Sequence, residues 1–297
     1  MVILSNFYNQ KQLKYFEEKY KDLPVTLFMD VIPNQEQLQL NPFNILLLHE
    51  PNEMFGIHSQ AIKITNHFDA ILTYNPYIIN NFPNAFPFYH NGTITEHPKQ
   101  FKENLKDKEK KFEVTFLCGT TNWAPGHKFR QRIYKLKKQI NIPKQWYYVL
   151  EDFDISRQVR PGYNHYSKDL SHVPEDWGAD VWGKRMLYEE SMFHIAVENV
   201  FNKNWYTEKI GQAFTSKTVP IYWGCPNLEE LDYDERGIIR FKDEEDLLRI
   251  VNNLTPQDYY SRLPYIEHNF QVAIHDTFRI KLNKFLDQVK EKLNTKI

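Results

Sequence analysis

Short apolar runs, each bounded by polar or turn residues, recur along the first quarter of the chain. Four of these runs predict buried strands of a parallel sheet, at residues 2–4, 25–29, 45–48 and 70–74. Between the first two, Leu13, Phe16 and Tyr20 are spaced three and four residues apart among charged side chains, which predicts an amphipathic helix over 12–21. This alternation of strand and helix is typical of βαβ units.

The same alternation returns after a polar, lysine-rich stretch at 97–111. The pattern predicts strands at 112–118, 193–197, 219–223 and 237–241, and helices at 127–140, 182–191, 207–215, 244–253 and 276–293. Residues 151–180 are rich in Tyr, Pro, Gly, Asp and His without a clear period, which indicates an irregular loop over a site.

A length of 297 residues suits two α/β domains. We expect an N-terminal domain over 1–150 and a second domain over 151–275. Residues 276–297 are expected to form a helix that packs back toward the N-terminal domain.

Composition narrows the class of protein. The chain is 41% apolar and 25% charged, as in soluble globular proteins, and no stretch reaches the ~18 apolar residues of a membrane span. The N-terminus lacks a basic segment followed by a long apolar run, so we expect a cytoplasmic protein without an integral membrane segment. A formal charge of −1 argues against nucleic acid as a partner but allows a local pocket for one diphosphate.

Two composition features bear on the site. Cys118 and Cys225 are far apart and belong to no Cys-x-x-Cys pattern, so neither a disulfide framework nor a zinc site is indicated. Aromatic residues make up 15% of the chain. They are suited to stacking on sugar rings, although most are expected to fill the core.

The segment 193–209 carries the main chemical signal. A predicted strand ends in Glu198-Asn199, and after a loop Thr207-Glu208-Lys209 opens a helix for which Thr207 is a suitable N-cap. A cation in the first helical turn opposes the helix dipole, so Lys209 suggests an anionic ligand such as a diphosphate. A solvated Glu208–Lys209 pair on a helix surface is the alternative.

A second signal follows at once. The run 217–226 predicts a buried strand that ends in Tyr222-Trp223, followed by a turn with Gly224 and Pro226. In doubly wound sheets, ligands bind beyond the carboxyl ends of the strands, where this turn would lie.

Taken together, residues 193–226 resemble the bacterial α-1,3-fucosyltransferases of glycosyltransferase family ten. The shared pattern is a Phe-rich strand ending in Glu-Asn, then Thr-Glu-Lys at a helix start, then Val-Pro-Ile-x-x-Gly-x-Pro. The resemblance implies a GT-B fold, in which two Rossmann-like domains with parallel sheets face a central cleft. It implies inverting transfer of fucose from GDP-fucose to a glycan hydroxyl, with no obligatory metal or other cofactor.

The resemblance also implies roles for individual residues. Lys209 would neutralise the leaving diphosphate, Glu208 would bond ribose or sugar hydroxyls, and Glu198 and Asn199 would shape the floor of the nucleotide site. Five further residues would complete the donor site: Trp205, Tyr206, Thr207, Gly224 and an arginine, for which Arg157 and Arg160 are the candidates and Arg185 stays open. Val200 and Trp205 replace residues that offer hydroxyl groups in the family, which leaves the donor sugar open.

Inversion by single displacement needs a general base for the acceptor hydroxyl. Glu50, which lies two residues after the predicted strand at 45–48, is the first candidate, and Glu53 is the second. A turn or cap residue is the alternative for a carboxylate in this position.

Two other functions remain open at this stage. One is a transferase of the same fold that uses another nucleotide sugar, and the other is a catalytically inactive glycan-binding module. The presence of both Lys209 and Glu50 favours an enzyme, because a binding module needs neither a diphosphate clamp nor a base.

Overall fold

The computed structural model describes residues 1–5, 10–90, 109–149 and 189–294. Its contacts divide the chain into two compact units. The first unit comprises Met1–His90, Lys203–Trp205 and Phe278–Ile297, and the second comprises Asn91–Asn202 and Tyr206–Thr277.

The first unit contains a five-stranded parallel sheet in the order β1-β2-β3-β4-β5. Its strands are β1 (Val2–Ser5), β2 (Val25–Met29), β3 (Phe43–Leu48), β4 (Ala70–Thr73) and β5 (Ala85–Pro87). The connecting helices are Gln10–Lys19, Asn52–Phe55, Ile57–Ala61 and Pro76–Asn81, with 3-10 turns at Gln37–Gln39 and Ile62–His67. The four predicted N-terminal strands are therefore confirmed.

The central strands of this sheet are buried on both faces, which explains their continuous apolar sequence. Phe28, Leu46 and Ile71 are fully buried in one cluster, and Phe68 packs edge-on against Phe28 at 5.9 Å between ring centroids. Burial of several such side chains at ~25 cal/mol per Å² supplies the main stabilisation of the unit.

The terminal helix Phe278–Asn294 belongs to the first unit. Phe278 is fully buried and packs edge-on against Phe16 and Phe88. Further along, the hydroxyl of Tyr20 lies 2.9 Å from Oδ1 of both Asn283 and Asp287. These contacts hold the last helix against the helix that follows β1.

The second unit contains a five-stranded parallel sheet in the order β10-β9-β8-β6-β7. Its strands are β6 (Lys111–Gly119), β7 (Lys144–Val149), β8 (Ser191–Val197), β9 (Val219–Trp223) and β10 (Ile239–Arg240). The α-helices described in it are Pro125–Lys135, Glu208–Thr215, Glu244–Asn252, Pro256–Tyr260 and Leu263–His275, and the 3-10 turns are Leu136–Gln139, Leu228–Leu231 and Glu235–Gly237.

This arrangement corrects the predicted boundary at residue 150. Strand β6 pairs with β8, with Thr115 opposite His194, so the segment from β6 to β7 belongs to the second unit. The local pattern predicts a strand and a helix there, without β7, and it carries no information about which sheet they join. The predicted helix at 182–191 also differs, because Ser191 begins β8, while 182–188 and the predicted loop 151–180 lie outside the described residues.

Candidate functional site

The strand order of the second sheet reverses between β6 and β8. From β6 the chain runs to β7 on one side, while β8, β9 and β10 follow on the other side. Ligands of open α/β sheets bind at such a switch point, beyond the carboxyl ends of the strands. Two helices begin at this edge, Pro125–Lys135 after β6 and Glu208–Thr215 after β8.

Glu198 directly follows β8 and is fully buried. One carboxylate oxygen accepts a hydrogen bond from the Thr207 amide at 2.9 Å, and the other accepts one from the Thr207 hydroxyl at 2.7 Å. Burial raises the pKa of Glu198, while the nearby Lys209 charge and the Thr207 bonds oppose the rise. Glu198 therefore ties the start of the next helix to the end of β8.

Thr207 is the N-cap of the helix Glu208–Thr215, as predicted. The Lys209 ammonium lies 3.1 Å from the Thr207 hydroxyl, 3.3 Å from Oε1 of Glu208 and 3.8 Å from Oε2 of Glu198. Its side chain is 24% exposed. The cation is thus held at the carboxyl edge of the sheet, beside the positive end of the helix, where an anion binds best.

The helix Pro125–Lys135 contributes residues that the sequence reasoning missed. Arg130 donates to the carbonyl of Val197 at 2.5 Å and to Oδ1 of Asn199 at 2.9 Å. The Gly126 amide donates to the Asn199 carbonyl at 2.8 Å. A Cβ atom on Gly126 would lie 1.7 Å from the Glu198 carbonyl oxygen, so only glycine allows this approach.

His127 lies next to these groups and is buried. Burial lowers its pKa to about 4, and the charges of Arg130 and Lys209 act in the same direction. The imidazole is therefore neutral at physiological pH, and the positive charge described at this edge belongs to Arg130 and Lys209. A Pro-Gly pair shortly after a strand is the signal in the sequence that could have indicated this helix start.

Gly224 lies under Glu198 and is buried. A Cβ atom on Gly224 would lie 2.4 Å from both Cγ of Glu198 and the hydroxyl oxygen of Tyr222. That hydroxyl in turn donates to Glu198 at 3.3 Å. The structure thus gives Gly224 a packing role beside Glu198, and its expected contact with the donor stays a prediction.

Two aromatic residues expected at the donor, Trp205 and Tyr206, are buried. Tyr206 is 2% exposed in the second unit, and its hydroxyl donates to Asp276. Trp205 is 2% exposed in the first unit, where its indole N–H donates to the carbonyl of His49 at 2.9 Å. Both polar groups are thus hydrogen-bonded within their own unit. The candidate arginines Arg157, Arg160 and Arg185 lie outside the described residues.

The first unit places Glu50 at the carboxyl end of β3, with 19% of its side chain exposed. The amides of His49 and Glu50 donate to the same Asp30 oxygen at 2.9 and 3.1 Å. The Glu50 carbonyl accepts from Nε2 of His58 at 2.9 Å. The base candidate therefore sits in a backbone segment held by side chains from neighbouring elements.

The groups that hold Glu50 are themselves buried. Asp30 follows β2 with a left-handed φ of 51°, and burial raises its pKa to about 7, while the nearby His49 opposes the rise. Burial lowers the pKa of His58 to about 4, so this ring is neutral. Its Nδ1 accepts from the Asn75 amide at 3.0 Å, which leaves the proton on Nε2 for Glu50.

Glu53 has a different environment. It lies in the first turn of the short helix Asn52–Phe55 and is exposed. The geometry around Glu50 is more restrictive, which makes Glu50 the stronger candidate of the two.

Two Asp-x-Asp sequences bear on the expectation that no metal is required. Asp152–Asp154 lies outside the described residues. The second is Asp232–Asp234, in which Asp234 caps the turn Glu235–Gly237 and pairs with Arg236 at 2.6 Å. Among the residues with described positions, no group of three or more His, Cys, Asp or Glu side chains is arranged to hold a metal ion. Within the same residues, no helix has the length and apolarity of a membrane span.

No protein-family model matches the chain. A putative fucosyltransferase of Acanthamoeba polyphaga mimivirus is 28% identical over 113 residues, which is 37% of this chain and 17% of that protein. The α-(1,3)-fucosyltransferase FucT of Helicobacter pylori is 32% identical over 66 residues, which is 22% of this chain and 14% of that protein. The alignments thus span less than a fifth of these curated relatives.

Solved structures resemble the chain over nearly its whole length. An α1,3-fucosyltransferase crystallised with GDP-fucose covers 92% of the chain and 89% of its own, with a TM-score of 0.51 and 16% identity. HepE from Anabaena, crystallised with UDP and glucose, covers 98% and 84%, with a TM-score of 0.54 and 11% identity. The chain therefore has the GT-B fold of glycosyltransferases, and it resembles the fucosyltransferases in sequence.

Proposed function

We propose that the chain is an inverting glycosyltransferase that transfers fucose from GDP-fucose to a hydroxyl group of a glycan. The observation that carries this proposal is the buried Glu198, which fixes Thr207 and Lys209 at a helix N-terminus on the switch point of the second sheet. The sequence similarity to two fucosyltransferases supports the choice of sugar.

In this proposal the donor diphosphate lies at the start of the helix Glu208–Thr215. Lys209 and the positive end of the helix dipole stabilise the charge that develops on GDP as it leaves. Arg130 adds a second positive charge at the same edge and orients Asn199. Glu208, with 24% of its side chain exposed, accepts hydrogen bonds from hydroxyl groups of the ribose or the sugar.

The proposed reaction is a single displacement. Glu50 removes the proton of the acceptor hydroxyl as its oxygen forms a bond to the anomeric carbon. The bond between that carbon and the diphosphate oxygen breaks, and GDP leaves with both electrons of that bond. No covalent sugar–enzyme intermediate forms, so the configuration at the anomeric carbon inverts.

We further propose that turnover needs no divalent metal. Lys209 and Arg130 supply positive charge where a metal would otherwise neutralise the diphosphate. Full turnover in the presence of EDTA is the expected result, and a loss that added Mg²⁺ or Mn²⁺ restores would overturn this part of the proposal. The cytoplasmic location expected from the sequence stays a prediction.

A different nucleotide sugar is the second candidate donor. The TM-score to HepE, whose structure contains UDP and glucose, is 0.54, against 0.51 for the fucosyltransferase with GDP-fucose. Discrimination of one hydroxyl or methyl group is worth only ~1–3 kcal/mol in an apolar pocket, so small changes in lining residues alter it. The buried Val200 stands where the fucosyltransferase family has a residue with a hydroxyl group, and it is one such change.

Turnover of GDP-fucose tests the proposal. We expect GDP release that depends on a glycan acceptor, and NMR of the first-formed product should show the inverted anomeric configuration. Glu50→Gln should lower kcat with GDP affinity unchanged, and Lys209→Ala should lower turnover by ~10²–10³-fold. Lys138→Ala, an exposed lysine of the same unit, is the matched control. Binding of glycans without turnover of any nucleotide sugar would favour the binding-module alternative.

A further inference from the structure

All four backbone polar groups of the dipeptide His49-Glu50 are bonded to side chains. Asp30 accepts from both amides, Trp205 donates to the His49 carbonyl, and His58 donates to the Glu50 carbonyl. These three side chains come from the end of β2, from the segment Lys203–Trp205 and from the helix Ile57–Ala61. Trp205 is 156 positions away from His49 in the sequence.

The side chains of the dipeptide are held as well. The His49 ring stacks on His90 at 4.7 Å between centroids with 20° between the planes. Nδ1 of His49 lies 3.6 Å from the Glu50 carboxylate. The carboxylate is therefore the partly exposed end of a segment that is otherwise fixed.

Holding the dipeptide through Asp30 costs folding free energy that an ordinary strand end does not require. Asp30 is a non-glycine residue with a positive φ, and its carboxyl group is fully buried. Each of these features costs on the order of 1–3 kcal/mol, and such costs concentrate where function requires a fixed geometry. A polar turn in water would satisfy the same amides without either cost.

We infer that Asp30, His58 and Trp205 are positioning residues that hold the Glu50 carboxylate in its reactive orientation. The inference rests on the proposed function, in which Glu50 is the general base. A catalytic group has to be held within about 0.5 Å of its productive position, which side chains locked by packing and hydrogen bonds achieve. A shift of about 1 Å costs roughly 100-fold in rate.

Trp205 also lies close in the sequence to the proposed diphosphate-binding helix. It precedes Thr207, the N-cap of the proposed diphosphate-binding helix, by two residues, and its neighbour Asn204 donates to the carbonyl of Tyr74 at 3.3 Å. The segment Lys203–Trp205 is thus anchored at the ends of both β3 and β4. The same short stretch of chain that opens the donor-binding helix therefore also fixes the base.

The first test is Trp205→Phe, which keeps an aromatic ring and removes the indole N–H. We expect kcat to fall at least tenfold while the Kd for GDP stays within twofold of wild type. Trp146→Phe is the matched control, because that indole is fully buried and its N–H has no hydrogen-bond partner among the described residues. Equal effects of the two substitutions, or a selective loss of GDP affinity in Trp205→Phe, would overturn the role of Trp205.

The second test compares Asp30→Asn with Asp30→Ala. The asparagine oxygen can accept both amide hydrogen bonds, whereas alanine accepts none. We therefore expect Asp30→Asn to retain most of the wild-type kcat and Asp30→Ala to lose at least tenfold, with KM for the donor unchanged. If both variants lose activity equally, positioning through these hydrogen bonds is wrong.

Amide hydrogen exchange separates this inference from the proposed function. The His49 and Glu50 amides should be protected in wild type and in Asp30→Asn, and they should exchange at least tenfold faster in Asp30→Ala. Accelerated exchange with unchanged turnover would overturn the positioning role. If Glu50→Gln retains full turnover in the same assay, the assignment of the base fails, whatever the exchange rates of these amides.

Discussion

Glu198 and Thr207 are joined by two hydrogen bonds, from the Thr207 amide at 2.9 Å and from its hydroxyl at 2.7 Å, in a fully buried environment. This pair connects the residue that follows β8 to the N-cap of the next helix. It fixes where the helix N-terminus, and with it Lys209, lies relative to the edge of the sheet. Stability and nucleotide binding should therefore respond together when the pair is broken.

Thr207→Val removes the hydroxyl with little change in shape. The variant loses a helix cap and leaves one oxygen of the buried Glu198 without that donor, so the free energy of unfolding should fall by about 1–3 kcal/mol. Thr207→Ser keeps the hydroxyl and should stay within about 0.5 kcal/mol of wild type. Urea unfolding measures both variants, and equal stability of Thr207→Val and wild type would contradict the role of the pair.

Gly126→Ala tests the close approach of the helix Pro125–Lys135 to Glu198. The added Cβ would meet a backbone carbonyl at 1.7 Å, so helix and strand have to separate, at a cost of at least about 2 kcal/mol. Gly56→Ala is the comparison, because Gly56 has a φ of +65° with open space around it, and the cost there is about 1 kcal/mol of backbone strain. A smaller loss in Gly126→Ala than in Gly56→Ala in urea unfolding would contradict the packing.

Much of the fold could be predicted from local pattern. The continuous apolar runs of β2 to β4 and the Thr-Glu-Lys helix start are properties of neighbouring residues, and the structure confirms them. The pairing of β6 with β8 is not local, so the sequence could not assign β6 and β7 to the second sheet. For that reason Arg130 and His127 were missed, although Pro125-Gly126 marks their helix.

Trp205 shows the same limit at a single residue. Its place in the motif predicts a donor contact, since its neighbours Glu198 and Lys209 do lie together. The structure puts the side chain in the first unit, because the loop after β8 leaves the second unit for three residues. Such an excursion depends on tertiary packing and has no signature in local spacing.

His58 should show one protonation state over a wide range of pH. Burial holds its pKa at about 4, and the bonds to Glu50 and Asn75 require a neutral ring with the proton on Nε2. ¹⁵N NMR of labelled histidine should therefore report this tautomer from pH 8 down to pH 5 without titration. A titration midpoint near the ordinary value of ~6.5 would show that the ring is accessible to solvent and that its hydrogen bonds to Glu50 and Asn75 are broken.

Asp30→Asn should change how stability depends on pH. The folded-state pKa of Asp30 is about 7, above the unfolded value near ~4, so between these values the folded protein binds the extra proton. Binding of this proton stabilises the folded wild-type protein. Its contribution to the free energy of unfolding is complete below about pH 4 and is lost as pH rises through 7. His49 and Glu50 are the titratable neighbours that act on the pKa of Asp30.

The variant has no such proton to lose. Its stability relative to wild type should therefore increase from pH 5 to pH 8, by up to ~1.4 kcal/mol per pH unit within the window. Urea unfolding at pH 5, 6, 7 and 8 measures the difference. A difference that stays constant across these values would show that Asp30 remains ionised throughout.

The central claim is that the second unit binds a GDP-sugar through Lys209 at the start of the helix Glu208–Thr215. Isothermal titration of GDP, UDP, TDP and CDP into wild type, Lys209→Ala and the control Lys138→Ala tests it most directly. We predict that GDP binds wild type most tightly and that Lys209→Ala weakens this binding by roughly 10–100-fold, the value of a charged hydrogen bond, while Lys138→Ala leaves it unchanged. Tighter binding of UDP, TDP or CDP than of GDP, or equal GDP affinity in Lys209→Ala and wild type, would contradict the account.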